Sequence, residues 1–442
     1  MKILILVAIL LISISVYAYA DTAKNMKVQY AVIDVLSGWE PRLNSVNLRD
    51  YKIYMTKSDY NSGSDLHVLV TEGDFLKDRT VFIGYKSPND SYKFTNVRDY
   101  INGWDFADSY MHFVHNSTDV WLAVTCGIDT KICVVRSLDK GKNWNWSNVK
   151  RFSKGVTMHE PAVKCNNADD CLLVYNSLGS IPFIKTYAAY WDGLEWSDAE
   201  ILYNGNGVPH SFLPTGIDKE WIINYISIDN IFSGIKVIGN NLVRFNKNYK
   251  TLEFKKTSDI KLYEGIVTHS NLESIGKFRY EGTSIDIISS SKPSAVAWFL
   301  VSRRLSNGTH ELVLKPLING TKWDSDIILY PPLKLHLVGA SLSFDTVNEI
   351  FYLFYMKINT TANTYEICYR TADIDSISWS SEICPVIEIK GKRISNFSND
   401  SKPFGNNLFS GAVYDGNIAI IYQDDCNADN DKCNLKVYRN FR

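Results

Sequence analysis

Hydrophobic and polar positions alternate along most of the chain, in short runs that stop at polar turns. The stretch "DVWLAVTCGIDTKICVVRSLDKGKNW" is representative: an apolar run, a polar turn, an alternating run and a loop ending in tryptophan. A period of two is the signature of a β-strand, because successive side chains point to opposite faces of a sheet. No helical period is sustained over ten or more residues beyond residue 20, so the pattern predicts an all-β chain.

The same unit recurs. "DCLLVYNSLGSIPFIKTYAAYWDGLEW", "SAVAWFLVSRRLSNGTHELVLKPLINGTKW" and "EIFYLFYMKINTTANTYEICYRTADIDSISW" close at Trp196, Trp323 and Trp379, as the first unit closes at Trp144. A weaker copy, "EWIINYISIDNIFSGIKVIGNNLVRFNKNYKTLEF", closes at Phe254, and partial copies "YKIYMTKSDYNSGSDLHVLVTEGDF" and "NIAIIYQDDCNADNDKCNLKVYRNF" bring the hairpins to seven. Successive plugs stand roughly 50–70 residues apart, room for a four-stranded antiparallel sheet with its loops, which is propeller-blade spacing. The early segment "KVQYAVIDV" is expected to pair with the last strands, ending at Val437 and Phe441, closing the ring and removing its edges.

The first 20 residues, "MKILILVAILLISISVYAYA", break the β pattern. One lysine precedes an apolar run of signal-peptide length, and Ala18-Tyr19-Ala20 offers a cleavage point, so residues 1–20 are expected to be a signal peptide and 21–442 a single propeller domain. The run is short for a bilayer, and the chain has no second one of spanning length. Secretion fits the eight cysteines, which group as Cys126/Cys133, Cys165/Cys171, Cys426/Cys433 and, by remainder, Cys368/Cys384, a connectivity that sequence does not fix. Sequons at Asn89, Asn116, Asn145, Asn307, Asn319, Asn359, Asn396 and Asn399 agree with the same compartment. No C-x-x-C or H-E-x-x-H spacing occurs, so no metal and no cofactor is expected. A formal charge of -1 gives no field that would draw nucleic acid or an anionic membrane. Aromatic residues, 13% of the chain, suit β-rich clefts that stack on sugar rings.

Ser137-x-Asp139-x-Gly141-x-x-Trp144 matches the Asp box, S-x-D-x-G-x-x-W, and the chain thereby resembles the sialidase superfamily of six-bladed propellers. "TADIDSISW", "NGTKW" and "DGLEW" are decayed copies at the same place in the repeat. In the family the box lies in the turn between the two outer strands of a blade, far from the catalytic pocket, and its residue types suit that role. Ser and Asp bond turn amides, Gly supplies a positive φ, and Trp packs under the hairpin. The resemblance implies a six-bladed propeller of four-stranded antiparallel sheets; seven hairpins raise the count to seven if each forms a blade.

The resemblance also implies a pocket with three arginines for the substrate carboxylate, an aspartic acid as general acid, and a tyrosine nucleophile activated by a glutamate. "EPRLNSV" places Arg42 as the first arginine; "SDYNSGSDLHVLV" offers Asp59, ahead of Asp65, as the acid. "YEGTSIDIISSSKPSAVAWFLVSRR" supplies Glu281 and Arg303, with Arg304 as a substitute, while "HEPAVKC" offers a rival Glu160 without its arginine. Departures cluster at the end of the chain. In "LFSGAVYDGNIAIIYQ" the nucleophile position reads Phe409, with Tyr414 five residues on, and no third arginine precedes the outer strand of "TTANTYEICYRTADIDSISW", where Arg370 falls too late.

Three functions follow from this reading. The first is a secreted sialidase-like protein that recognises sialic-acid-type terminal glycans, its hydrolysis impaired or lost with the nucleophile. The second is a secreted interaction platform for protein partners, in which Trp39, Trp104 and Trp121 are core or interface aromatics. The third is a glycosidase of another propeller family using carboxylates such as Glu160 with Asp59.

Overall fold

The computed structural model describes residues 30–35, 48–59, 63–74, 77–88, 90–101, 109–127, 131–155, 158–178, 184–203, 207–214, 218–229, 236–247, 254–268, 295–304, 310–318, 322–323, 327–333, 337–359, 364–374, 378–389, 409–424 and 434–441. The signal segment, Arg42, Trp39, Trp104, Glu281, the Cys426/Cys433 pair and the sequons at Asn89, Asn307, Asn319, Asn396 and Asn399 lie outside the described residues.

After β1 (Tyr30–Val35), the strands group by fours in chain order. Sheet I holds β2 (Leu48–Lys57), β3 (Ser64–Asp74), β4 (Lys77–Lys86) and β5 (Lys93–Asn96). Sheet II holds β6 (Ser109–Phe113), β7 (Val120–Cys126), β8 (Lys131–Ser137) and β9 (Lys150–Phe152). Sheet III holds β10 (Met158–Asn167), β11 (Asp170–Leu178), β12 (Ile184–Trp191) and β13 (Glu200–Tyr203). Sheet IV holds β14 (Gly207–Pro214), β15 (Glu220–Asp229), β16 (Lys236–Lys247) and β17 (Phe254–Thr268). In sheet V, β18 (Ala295–Arg304) pairs β19 (His310–Ile318), and both β20 (Lys322–Trp323) and β21 (Ile327–Leu333) pair the far edge of β19. Sheet VI holds β22 (Leu337–Asp345), β23 (Ile350–Asn359), β24 (Thr364–Asp373) and β25 (Ile383–Ile389). Sheet VII is β26 (Phe409–Tyr414), β27 (Asn417–Asp424) and β28 (Asn434–Phe441), completed by β1, which pairs antiparallel with β28 from Tyr30↔Phe441 to Val35↔Lys436. The described residues thus form seven four-stranded antiparallel sheets, and the Phe254 copy supplies a sheet of its own.

The strand sequences explain how the sheets stack. Runs such as "VWLAV", "CLLVY" and "IAIIY" are apolar at every position, because both faces of these strands are covered. Leu122 and Val124 pack toward sheet I with Leu69, Val81 and Met111, whereas their neighbours Trp121 and Ala123 pack toward sheet III with Val163 and Leu173. Leu172 and Val174 turn the other way, onto Trp221, Ile223 and Phe245 of sheet IV. Ile418 and Ile420 face Phe354 and Ile367 of sheet VI, and Ala419 and Ile421 face Ile53, Val68 and Val70 of sheet I. Sheets I to IV therefore share their cores in chain order, and sheet VII, built from both ends of the described chain, joins VI to I. That is a β-propeller.

First strands meet first strands: β2 and β22 lie against β26, and β10 against β6 and β14. Gly411 of β26 lets the second strand of sheet VI approach as well, since a Cβ there would stand 2.6 Å from the ring of Phe354 on β23. Three expected cysteine pairs are disulfides, Cys126–Cys133, Cys165–Cys171 and Cys368–Cys384. No described helix is long and apolar enough to cross a membrane.

Candidate functional site

Three consecutive inner strands bring together side chains that the apolar pattern does not require. On β2, Ile53 and Met55 face sheet VII and Tyr54 between them packs on the core shared with sheet II, so Lys52, two residues before Tyr54, lies on the face toward sheet II. On β6, Met111 faces sheet I, so Tyr110 and His112 face sheet III. The Lys52 ammonium lies 5.5 Å from the centre of the Tyr110 ring, and the Lys164 ammonium, from β10, lies 5.5 Å from the same ring. Lys164 is only 7% exposed. Burying an ammonium costs free energy unless charge or π density compensates it, and the Tyr110 ring offers π density to both lysines.

His112 completes this group. Its Nε2 accepts the backbone amide of Cys165 at 3.1 Å, which requires that nitrogen to be unprotonated and fixes the ring beside Lys164. Chemically, two ammonium groups around one aromatic ring suit a carboxylate-bearing ring compound, the ammoniums taking the charge and the ring an apolar face. Lys52, Tyr110 and Lys164 were not singled out from the sequence; the available signal was a charged or aromatic residue in the middle of a first strand.

The Asp59 candidate lies elsewhere, in the β2–β3 turn, held by the Asp-box turn of the next sheet. Lys140 Nζ donates to Asp59 Oδ1 at 2.9 Å, and Lys142 Nζ to Oδ2. These bonds lower its pKa to about 2, so the exposed carboxylate is an ionised acceptor at neutral pH, without a proton to give a leaving group. Asp65 is the opposite case. It is buried in β3, takes the Tyr85 hydroxyl at 3.1 Å, lies 3.9 Å from Lys142, and has its pKa raised by burial.

The turn that holds Asp59 has the geometry its residue types call for. Ser137 Oγ accepts the Gly141 amide at 2.9 Å, Asp139 Oδ1 accepts the Asn143 amide at 2.9 Å, and Lys140 and Gly141 both have positive φ, 59° and 82°. Trp144 packs, partly buried, on the core shared by sheets I and II.

Tyr414 and Phe409 occupy opposite ends of β26. Tyr414 stands at the β26–β27 turn, partly buried against the core of sheets VII and I, its pKa raised by burial and then by Asp415 and Asp345. Phe409 is 6% exposed, inside the core between sheets VI and VII, paired with Tyr422. Arg303 and Arg304 close β18, in register with Glu311 and His310. Arg136, on β8, is bound to Asp119 at 2.5 Å and stacked on Trp121 and Trp191, 5.3 and 5.1 Å from their ring centres. Trp121 itself is core. Among the described residues, Glu366, Cys368 and Cys384 cluster as metal ligands would, but the two cysteines are joined to each other and offer no thiolate.

No protein-family model matches the chain, and no curated protein sequence matches it. Several solved structures align with most of the chain. The α-L-arabinofuranosidase Arb93A from Fusarium graminearum aligns with 79% of this chain and 98% of its own, at 10% identity and a TM-score of 0.45. The BP39L lectin from Burkholderia pseudomallei covers 75% of this chain and 83% of its own, at 8% identity and a TM-score of 0.47. A subtype N10 neuraminidase-like protein from a little yellow-shouldered bat virus sample covers 93% and 99%, at 10% identity and a TM-score of 0.35. No residue role is carried over from these alignments.

Proposed function

We propose that the protein is a secreted propeller that binds terminal sugars bearing a carboxylate, of the sialic-acid type, without hydrolysing them, each of the seven sheets acting as one blade. The observation that carries this reading is the pair of ammonium groups, Lys52 and Lys164, on the two sides of the sheet that bears Tyr110. Arg42, Glu281, Arg303 and Arg304 are proposed to complete the pocket wall.

Turnover is not part of the proposal. The residue at the expected nucleophile position, Phe409, has no nucleophilic atom and is packed in a core; Tyr414 stands at a turn, and Asp59 is kept ionised by two lysines. Loss of the nucleophile removes covalent catalysis, while charge and aromatic surface still support binding.

A second reading, a platform for protein partners, is favoured by the exposed apolar residues Leu138, Leu194 and Val347 at turn tips. A glycan array beside a fluorogenic sialoside assay on the secreted protein separates the readings. Binding to sialylated glycans without turnover supports the first; no glycan bound supports the platform; turnover abolished by Asp59→Ala contradicts both.

A further inference from the structure

Tyr100 and Trp146 form a two-ring ledge on the surface between sheets I and II. Their ring centres are 4.8 Å apart and their planes 15° apart, and Tyr100 is 54% exposed. Trp144 supports the ledge from beneath at 6.2 Å, and the Trp146 amide donates to the Trp144 carbonyl at 2.9 Å. Single exposed aromatics are ordinary, but a stacked pair keeps a flat apolar surface fixed in water.

Beside it stands Asn145, the acceptor residue of the sequence Asn145-Trp146-Ser147. Its amide is tied to the Arg136 carbonyl at 3.0 Å, which fixes the backbone to β8. The side chain is exposed and does not cap the 3-10 turn Trp146–Asn148 that follows; its Oδ1 accepts the Ser147 hydroxyl at 2.8 Å. An attached chain therefore leaves into solvent next to Trp146.

We infer that Asn145 carries an N-linked glycan whose first N-acetylhexosamine units lie on the Tyr100–Trp146 ledge. The inference rests on the secretory reading above. In the transfer, the Asn145 amide nitrogen replaces pyrophosphate at the anomeric carbon of a lipid-linked oligosaccharide: a C–N bond forms, the C–O bond breaks, and the amide proton is released as the lipid pyrophosphate departs. Attachment makes the stacking intramolecular, so a contact too weak to hold a free sugar is still occupied.

Asn116, exposed in the β6–β7 turn with φ 55°, is the internal control, since it is a second described sequon on the same sheet. The full chain is secreted from cells that perform N-glycosylation, and occupancy at both sites is read by mass spectrometry after enzymatic release in heavy-oxygen water. Tyr100→Ala is then measured in the glycosylated protein and in Asn145→Gln. The expected result is an occupied Asn145 and a Tm loss of about 1–3 °C from Tyr100→Ala, reduced by at least half in the Asn145→Gln background. Asn145 empty while Asn116 is occupied, or the same Tm loss in both backgrounds, overturns the inference. Both sites empty overturns the secretory reading together with it.

Discussion

Asp345 of sheet VI holds the turn of sheet VII: its Oδ2 accepts the Gly416 amide at 2.6 Å and its Oδ1 the Asp415 amide at 3.0 Å. The same oxygens take the Val347 amide at 3.1 Å and the Asn348 side chain at 2.8 Å, so one buried carboxylate organises two turns. This bond set ties sheet VI to the β26–β27 turn of the sheet that β1 and β28 complete. Asp345→Ala is expected to lower the unfolding free energy by about 2–4 kcal/mol, since it strands the buried Gly416 amide and removes the bonds to three partly buried ones. Urea unfolding checks this; a loss under ~1 kcal/mol contradicts it.

Asp170 makes the related contact between sheets III and IV, accepting the Lys219 amide at 2.7 Å and the Asn166 side chain at 2.9 Å. Burial outweighs these bonds and raises its pKa to about 6. With the folded pKa above the unfolded value, the carboxyl's contribution to stability is fully present below the unfolded pKa and is lost as pH rises through about 6. Melting temperatures from pH 4 to 7 should therefore fall more steeply for the native protein than for Asp170→Asn, which does not titrate. Parallel curves contradict this.

Phe409→Tyr restores the residue type expected of a nucleophile, at a buried position. The new hydroxyl enters the core of sheets VI and VII among Phe354, Ile420 and Tyr422. Stability should drop by about 1–3 kcal/mol, and sialoside turnover should stay at background. Appearance of hydrolysis contradicts the core assignment.

Trp144→Ala tests the turn between β8 and β9. The indole is half-buried on the core of sheets I and II, so truncation should cost about 2–3 kcal/mol, less than for a fully buried tryptophan, and leave glycan selectivity unchanged. Unchanged melting with altered selectivity overturns it.

The repeat was legible because each strand answers to packing on both sides: Trp121, Leu122, Ala123 and Val124 are apolar in succession since alternate residues serve different neighbouring sheets. The turn at Ser137–Trp144 was legible because the bonds that Ser137 and Asp139 make to its amides are local, each spanning four residues. Site residues are another matter. Asp59 reads as an acid until Lys140 and Lys142, about 80 positions on, are brought to it by the packing of sheet II on sheet I. Lys52, Tyr110 and Lys164 belong to three separate strands, and no spacing in one dimension announces that their side chains meet. Sequence periodicity reports which face a residue takes; it does not report what stands opposite.

The most direct test of the binding proposal is a calorimetric titration of the native protein, Lys52→Met and Lys164→Met with a sialylated trisaccharide and its neutral counterpart, with near-UV circular dichroism confirming that each variant is folded. The native protein should bind the sialylated sugar and not the neutral one, and each lysine variant should lose at least about tenfold in affinity, equivalent to ~1.4 kcal/mol. Unchanged affinity in both folded variants, or equal binding of the neutral sugar, would contradict the central claim.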